Sequence, residues 1–308
     1  MLSTDQDTLL DHFMQDCTLC PRWCHVNRLT DQTGYCGQTA VLRAARAALH
    51  FWEEPCLSGT RGSGTVFFSG CNLRCVFCQN HNISIGTAGR EIGTERLSEI
   101  FLELQEKGAH NINLVTPTHF LPQIVRALTD AKTRGLSIPI LYNTGSYEDP
   151  DVLRLLEGLI DIWLPDLKYY STELSDRLSR APDYFERAAA AIAEMYRQAG
   201  PPVLSDDGLM RRGVIVRHLV LPGQTKDSKK VLRYLHETYG DNIYISVMNQ
   251  YTPLPHVASC QDLNRPVTAE EYARVLRFAE RLGIQNGFCQ EGGTDLASFI
   301  PEFDGEGL

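Results

Sequence analysis

The chain has 308 residues, 43% of them hydrophobic, enough for one large domain with a substantial core, alone or with a small appendage. Its net charge of −9, from 29 Lys and Arg against 38 Asp and Glu, disfavours nucleic-acid backbones and anionic lipid as partners. No apolar run approaches the roughly 20 residues that span a bilayer, and the opening "MLSTDQDTLLDHF" lacks the basic n-region of a secretory signal. A soluble, cytoplasmic protein is expected, with no membrane or nucleic-acid partner. In that compartment ten cysteines read as metal ligands or redox groups rather than as a disulfide framework.

In chain order, the first feature is "CTLCPRWCHVNRLTDQTGYC", which carries Cys17, Cys20, Cys24 and Cys36. Four thiolates suit a closed tetrahedral zinc site, or an iron–sulfur cluster with no open iron that relays electrons. The sequence does not choose between them, and four reduced thiols packed beneath the main domain are the metal-free alternative. Gly34 and Gly37 bracket Cys36, as a tight ligand-bearing turn requires. His25 is a substitute ligand. Residues 1–60 are therefore read as a cysteine-rich metal-binding region, too poor in apolar residues to fold without its metal.

Beyond it, apolar runs at 64–70, 111–115, 138–143, 160–167, 213–221 and 242–250 read as strands. Helical stripes separate them: Leu97, Ile100, Phe101 and Leu104; Leu121, Ile124, Val125 and Leu128; Tyr184, Ala188, Ile192 and Met195; Tyr272, Val275, Leu276 and Ala279. These stripes are read as core packing. Thr268 to Glu271, "TAEE", is a capping box. Alternating βα units imply a parallel sheet, either an open, partial (β/α)6 barrel or a doubly wound sheet. In both, ligands gather at the C-terminal ends of the strands. The barrel is assigned to 61–290, with 199–213 as a loop within it, and 291–308 as a polar, acidic tail. Cys56, Cys260 and Cys289 stand apart and are expected to be buried, inert thiols.

Directly after the first of those strands, "SGCNLRCVFCQN" places Cys71, Cys75 and Cys78 in the spacing C-x3-C-x2-C. Three thiolates can hold three irons of a [4Fe–4S] cluster and leave the fourth iron open for chemistry. A catalytic zinc site likewise keeps one position free. A zinc site with a distant fourth ligand is the alternative.

This loop resembles the signature of the radical S-adenosylmethionine (SAM) superfamily, with Phe77 at the aromatic position. The segments "VTPTHF", "YNTGSYED", "LPDLKYY", "RHLVLPG" and "MNQYTP" are similar to the PflX-like homologues of pyruvate formate-lyase activating enzyme. The resemblance implies that SAM chelates the open iron. The reduced cluster would then cleave it to methionine and a 5′-deoxyadenosyl radical, which abstracts a hydrogen atom from a substrate. It further implies SAM contacts by Phe77, Asn143, Asp166, Lys168, Arg217 and Asn249. Lys168 would face the SAM carboxylate, and Asp166 would share a monovalent cation with it. Most members carry Gly-Gly-Glu after the second strand to hold the methionine amino group. Here Thr116-Pro117-Thr118-His119 stands instead, leaving Thr116 or Thr118 to supply acceptors. His119 is then a substrate-side proton donor or ligand, or a helix-start residue without chemistry.

The partners so implied are a low-potential electron donor such as flavodoxin or ferredoxin, and a glycyl-radical enzyme or other polypeptide as substrate. The competing reading is non-enzymatic: an iron–sulfur electron carrier or a zinc-stabilised interaction module.

Overall fold

The computed structural model describes residues 4–258, 260–290 and 301–308. Its centre is one sheet containing seven parallel strands: β2 (Ser63–Phe68), β4 (Ile112–Val115), β5 (Ile140–Thr144), β6 (Ile162–Pro165), β8 (Met210–Leu219), β9 (Tyr244–Met248) and β10 (Gly287–Cys289). Antiparallel β1 (Arg43–His50) and β3 (Arg90–Glu91) extend it, and β7 (Val203–Leu204) pairs off the path. The spatial order is β10-β9-β8-β6-β5-β4-β2-β1-β3, an open partial barrel. All six expected strands are present, and β10 is a seventh parallel strand too short for periodicity to reveal.

The helices that cross between strands carry the expected stripes on their buried faces. Thr94–Glu106, Leu121–Thr133, Tyr184–Ala199 and Ala269–Leu282 bury the predicted leucines, isoleucines and aromatics against the outside of the sheet. Thr268 and Glu271 form the expected capping box. Two elements depart from expectation. Residues 43–50, read as part of the N-terminal region, form β1 and pair with β2. Segment 199–213, read as a loop, carries β7 and the start of β8 as an antiparallel hairpin.

The inner face of the sheet is layered. Leu141, Ile162, Leu164 and Ile215 pack with Cys56 and Leu57 as an apolar layer, and Ala45, Phe67, Ile83 and Val115 form another. Residues 291–300 of the expected tail lie outside the described residues. The described remainder covers the free edge of β1: Gly305 donates to the Ala45 carbonyl at 3.0 Å and Ala47 to that of Glu306 at 2.8 Å. Such cover protects an otherwise exposed sheet edge. Among the described residues, no helix is long and apolar enough to cross a membrane.

Trp163 on β6 is fully buried, its ring 5.2 Å from that of Tyr142 on β5. Trp163→Ala leaves a large cavity between sheet and helices and should lower unfolding free energy by about 3–5 kcal/mol, read from chemical denaturation.

Candidate active site

The three-cysteine loop leaves β2 over the C-terminal ends of the parallel strands. Gly70 (φ 92°) and Arg74 (φ 50°) adopt left-handed backbone and fold the loop back on itself. Cys71, Cys75 and Cys78 thereby face one cavity of about 390 Å³. Neighbouring segments clamp the loop. Asn72 Nδ2 donates to the Tyr147 carbonyl at 2.7 Å, Val76 N–H to that of Leu178 at 2.9 Å, and Arg22 Nε to that of Asn72 at 2.9 Å. Gly145 allows a close approach, since a Cβ there would sit 2.7 Å from Leu73 Cδ1.

The sulfurs are set up as acceptors. The Leu73 amide reaches Cys71 Sγ at 3.3 Å, and the Ser179 hydroxyl reaches Cys75 Sγ at 3.0 Å. Burial, reinforced by Cys75, pushes the Cys71 thiol up, and burial with both neighbours pushes Cys78 up to about 12. Bare Cys71 and Cys78 thiols would stay protonated here. A polynuclear iron centre would supply the positive charge that keeps three neighbouring sulfurs as thiolates, so the donor set fits such a cluster.

Phe77, Thr116, Asn143, Asp166, Lys168 and Arg217 all line the same cavity. Thr118 and Asn249 are not among its lining residues; Gln250 and Met248 stand there beside Asn249. Thr116 is a β-branched residue at φ 56°, held by donating its amide to the Asn143 carbonyl at 2.9 Å. Lys168 Nζ donates to Asp166 Oδ2. The Tyr184 hydroxyl accepts from the Lys168 amide at 3.0 Å and lies 2.9 Å from the carbonyls of Gly145 and Asp166. Tyr184, read as a core residue of its helical stripe, also ties the β5 and β6 ends to each other.

Arg217 points into a charged floor rather than standing free. Its guanidinium pairs with Glu54 at 2.6 Å and with Glu53. Asn113 Nδ2 donates to Glu53 Oε1 at 2.8 Å. Burial alone would raise the Glu54 carboxyl, but the Arg217 charge and hydrogen bonds hold it below its ordinary value. The "WEEP" segment after β1 gave no periodic signal, so both carboxylates were invisible to pattern reading.

His119 lies outside the cavity lining. It is buried, its Nε2 2.6 Å from the Ser69 carbonyl, where it braces the loop. Burial and the Arg28 charge lower it to about 3, so the ring is neutral. Cys289, expected as a buried thiol, is exposed and lines the cavity. Thr118 instead donates to the wholly buried Glu148 at 2.6 Å, as does Thr144.

The N-terminal cysteines group behind the loop and do not line the cavity. All ten cysteines are free, and among the described residues no three Cys, His, Asp or Glu side chains converge as around one metal ion. His25 is exposed and paired with Asp16 at 2.8 Å, outside the thiol group.

Comparison with known proteins bears on the family and the fold. A family model described as the radical SAM superfamily matches residues 65–235. An uncharacterized protein of Methanocaldococcus jannaschii is 29% identical over 284 residues, covering 89% of this chain and 77% of that protein. A radical SAM methyltransferase from Sphaerobacter thermophilus shares the fold with a TM-score of 0.51 at 16% identity, over 78% of this chain and 70% of that one. Streptococcus suis SuiB, solved with its precursor peptide SuiA, gives 0.50 at 13% identity over 72% of this chain; the chain spans only 46% of SuiB.

Glu148 makes stability depend on pH. Burial pushes its carboxyl up from 4.5 to about 7, against the hydroxyls of Thr118 and Thr144. Between those values the unfolded chain has lost a proton that the folded protein keeps. The group therefore destabilises the fold progressively across that window, by about 3 kcal/mol once above it. The stability of Glu148→Gln relative to wild type should rise by up to this amount from pH 4.5 to 7. A difference that stays flat across the window would refute the assignment.

Proposed function

Because the chain belongs to the radical SAM superfamily, we propose that Cys71, Cys75 and Cys78 hold its [4Fe–4S] cluster, with SAM in the adjoining cavity and a polypeptide as hydrogen donor. When bound, the reduced cluster and SAM supply a 5′-deoxyadenosyl radical able to take a hydrogen atom from an unactivated C–H bond. The observation that carries this reading is the convergence of three thiols and the polar ends of β4, β5, β6 and β8 on one cavity.

The chain's own groups divide the remaining work. Phe77, fixed between the rings of Tyr169 and Tyr251 at 6.3 Å each, offers a flat apolar face for the adenine. Lys168 supplies the cation for the SAM carboxylate. Asp166 pairs with that ammonium and shares it, or a monovalent cation, with the ligand. Thr116 and Asn143 offer hydroxyl and amide groups to the methionine amino end. Arg217 is already neutralised by Glu53 and Glu54, so it positions the floor. Thr118 acts through Glu148, and Asn249 through Gln290, whose Oε1 accepts the Asn249 amide at 2.7 Å.

A cavity of about 390 Å³ lies at the low end for ligand pockets. SAM fills most of such a space. The substrate therefore reaches in as one protruding segment of a larger molecule, across a rim that exposes Trp52. This favours a polypeptide, including a glycyl-radical enzyme, over a small metabolite. It also leaves the activating-enzyme role as the specific form of the proposal, with a flavodoxin or ferredoxin as electron donor.

Anaerobically reconstituted protein with dithionite and SAM should release 5′-deoxyadenosine. Cys75→Ala should abolish that release, and Lys168→Met should weaken SAM binding by roughly 10–100-fold. Full release from Cys75→Ala would remove the loop from the chemistry, and none from wild type would favour an electron carrier.

A further inference from the structure

A second buried guanidinium, unlike Arg217, has no carboxylate partner among the described residues. Arg28 is 1% exposed, and among the described residues its side-chain hydrogen bonds go to carbonyls: Nη1 to that of His119, and Nη2 to that of Thr39 at 2.5 Å. Its Nε has no partner. A guanidinium so placed requires an anion close by. Arg28 lies near enough to Cys36 for its charge to act on that sulfur. Cys36 in turn lies within electrostatic range of Cys17 and Cys24, and Cys20 of Cys17 and Cys36.

We propose that Cys17, Cys20, Cys24 and Cys36 ligate a second iron–sulfur cluster, fully coordinated by thiolate, with Arg28 as its buried counter-cation. The construction of the family's own cluster loop recurs at these four cysteines, which favours a cluster over zinc. Cys24 Sγ accepts the Tyr35 amide at 3.3 Å, as Cys71 Sγ accepts that of Leu73. Left-handed Trp23 (φ 39°) and His25 (φ 52°) flank Cys24, as Arg74 precedes Cys75. Such strain, about 1–3 kcal/mol per residue, persists only where surroundings impose it.

The two sets are in contact. The Cys36 carbonyl lies 2.9 Å from where a Cβ on Gly70 would sit, and Gly70 is bonded to Cys71. Arg22 joins the Asn72 and Ser179 carbonyls at 2.9 and 3.0 Å while its guanidinium stacks on Tyr35 at 3.8 Å. A low-potential one-electron donor can therefore reduce the N-terminal cluster, which passes the same electron to the cluster at 71–78 and is reoxidised. Only this relay rests on the proposed function; the assignment of the second site does not.

Metal analysis and electron paramagnetic resonance on anaerobically reconstituted full-length protein test the assignment. Wild type should bind about eight irons and no zinc. The Cys71→Ala/Cys75→Ala/Cys78→Ala protein should keep about four irons, with a spectrum indifferent to SAM. Because it leaves the N-terminal ligands intact, this variant reads the second site without altering its thiols. Arg28→Gln should lower the reduction potential of that remaining cluster, and Arg28→Lys should preserve it. One zinc per chain, or no iron in the triple variant, would overturn the second cluster. An unshifted potential in Arg28→Gln would overturn the counter-cation. Eight irons with a wild-type spectrum blind to SAM would count against the proposed function alone.

Discussion

The structure depends on holding three sulfurs together against one cavity wall. Cys71, Cys75 and Cys78 lie on a loop pressed between the strand ends and the helix Thr172–Ser179, with Gly145 bare of a side chain so that Leu73 can fit. Burial at that depth opposes bare thiolates and invites a positively charged metal centre. The amide and hydroxyl donors aimed at the sulfurs are then pre-set for the charge that the centre leaves on them.

The rest of the cavity follows the same logic of compensated charge. Lys168 has Asp166, and Arg217 has two carboxylates, so no ion faces the interior alone. Glu148 solves the problem differently: burial lifts its carboxyl to about 7, and two threonine hydroxyls donate to it. Arg28 fits the pattern only once the N-terminal thiols are counted as its anion.

Much of this was legible in the sequence because it is periodic or closely spaced. The six main strands and four helical stripes announced themselves, as did the C-x3-C-x2-C loop. What escaped had no local signal. Residues 43–50, read only as part of the N-terminal region, become a strand, β1, through pairing with β2. Glu53 and Glu54 sit in a turn and matter only because the fold turns them inward toward Arg217. His119 was weighed as a substrate-side group, yet long-range packing makes it a brace under Ser69. Cys289 was weighed as inert from its isolation in sequence, and the short β10 carries it to the cavity.

The central claim is that the loop at 71–78 leaves one iron for SAM to occupy. Electron paramagnetic resonance of the reduced protein, recorded before and after adding SAM, tests it most directly. A signal from this loop's cluster that shifts on SAM addition, and fails to shift when S-adenosylhomocysteine or buffer replaces it, is the predicted result. An identical spectrum with and without saturating SAM would contradict it.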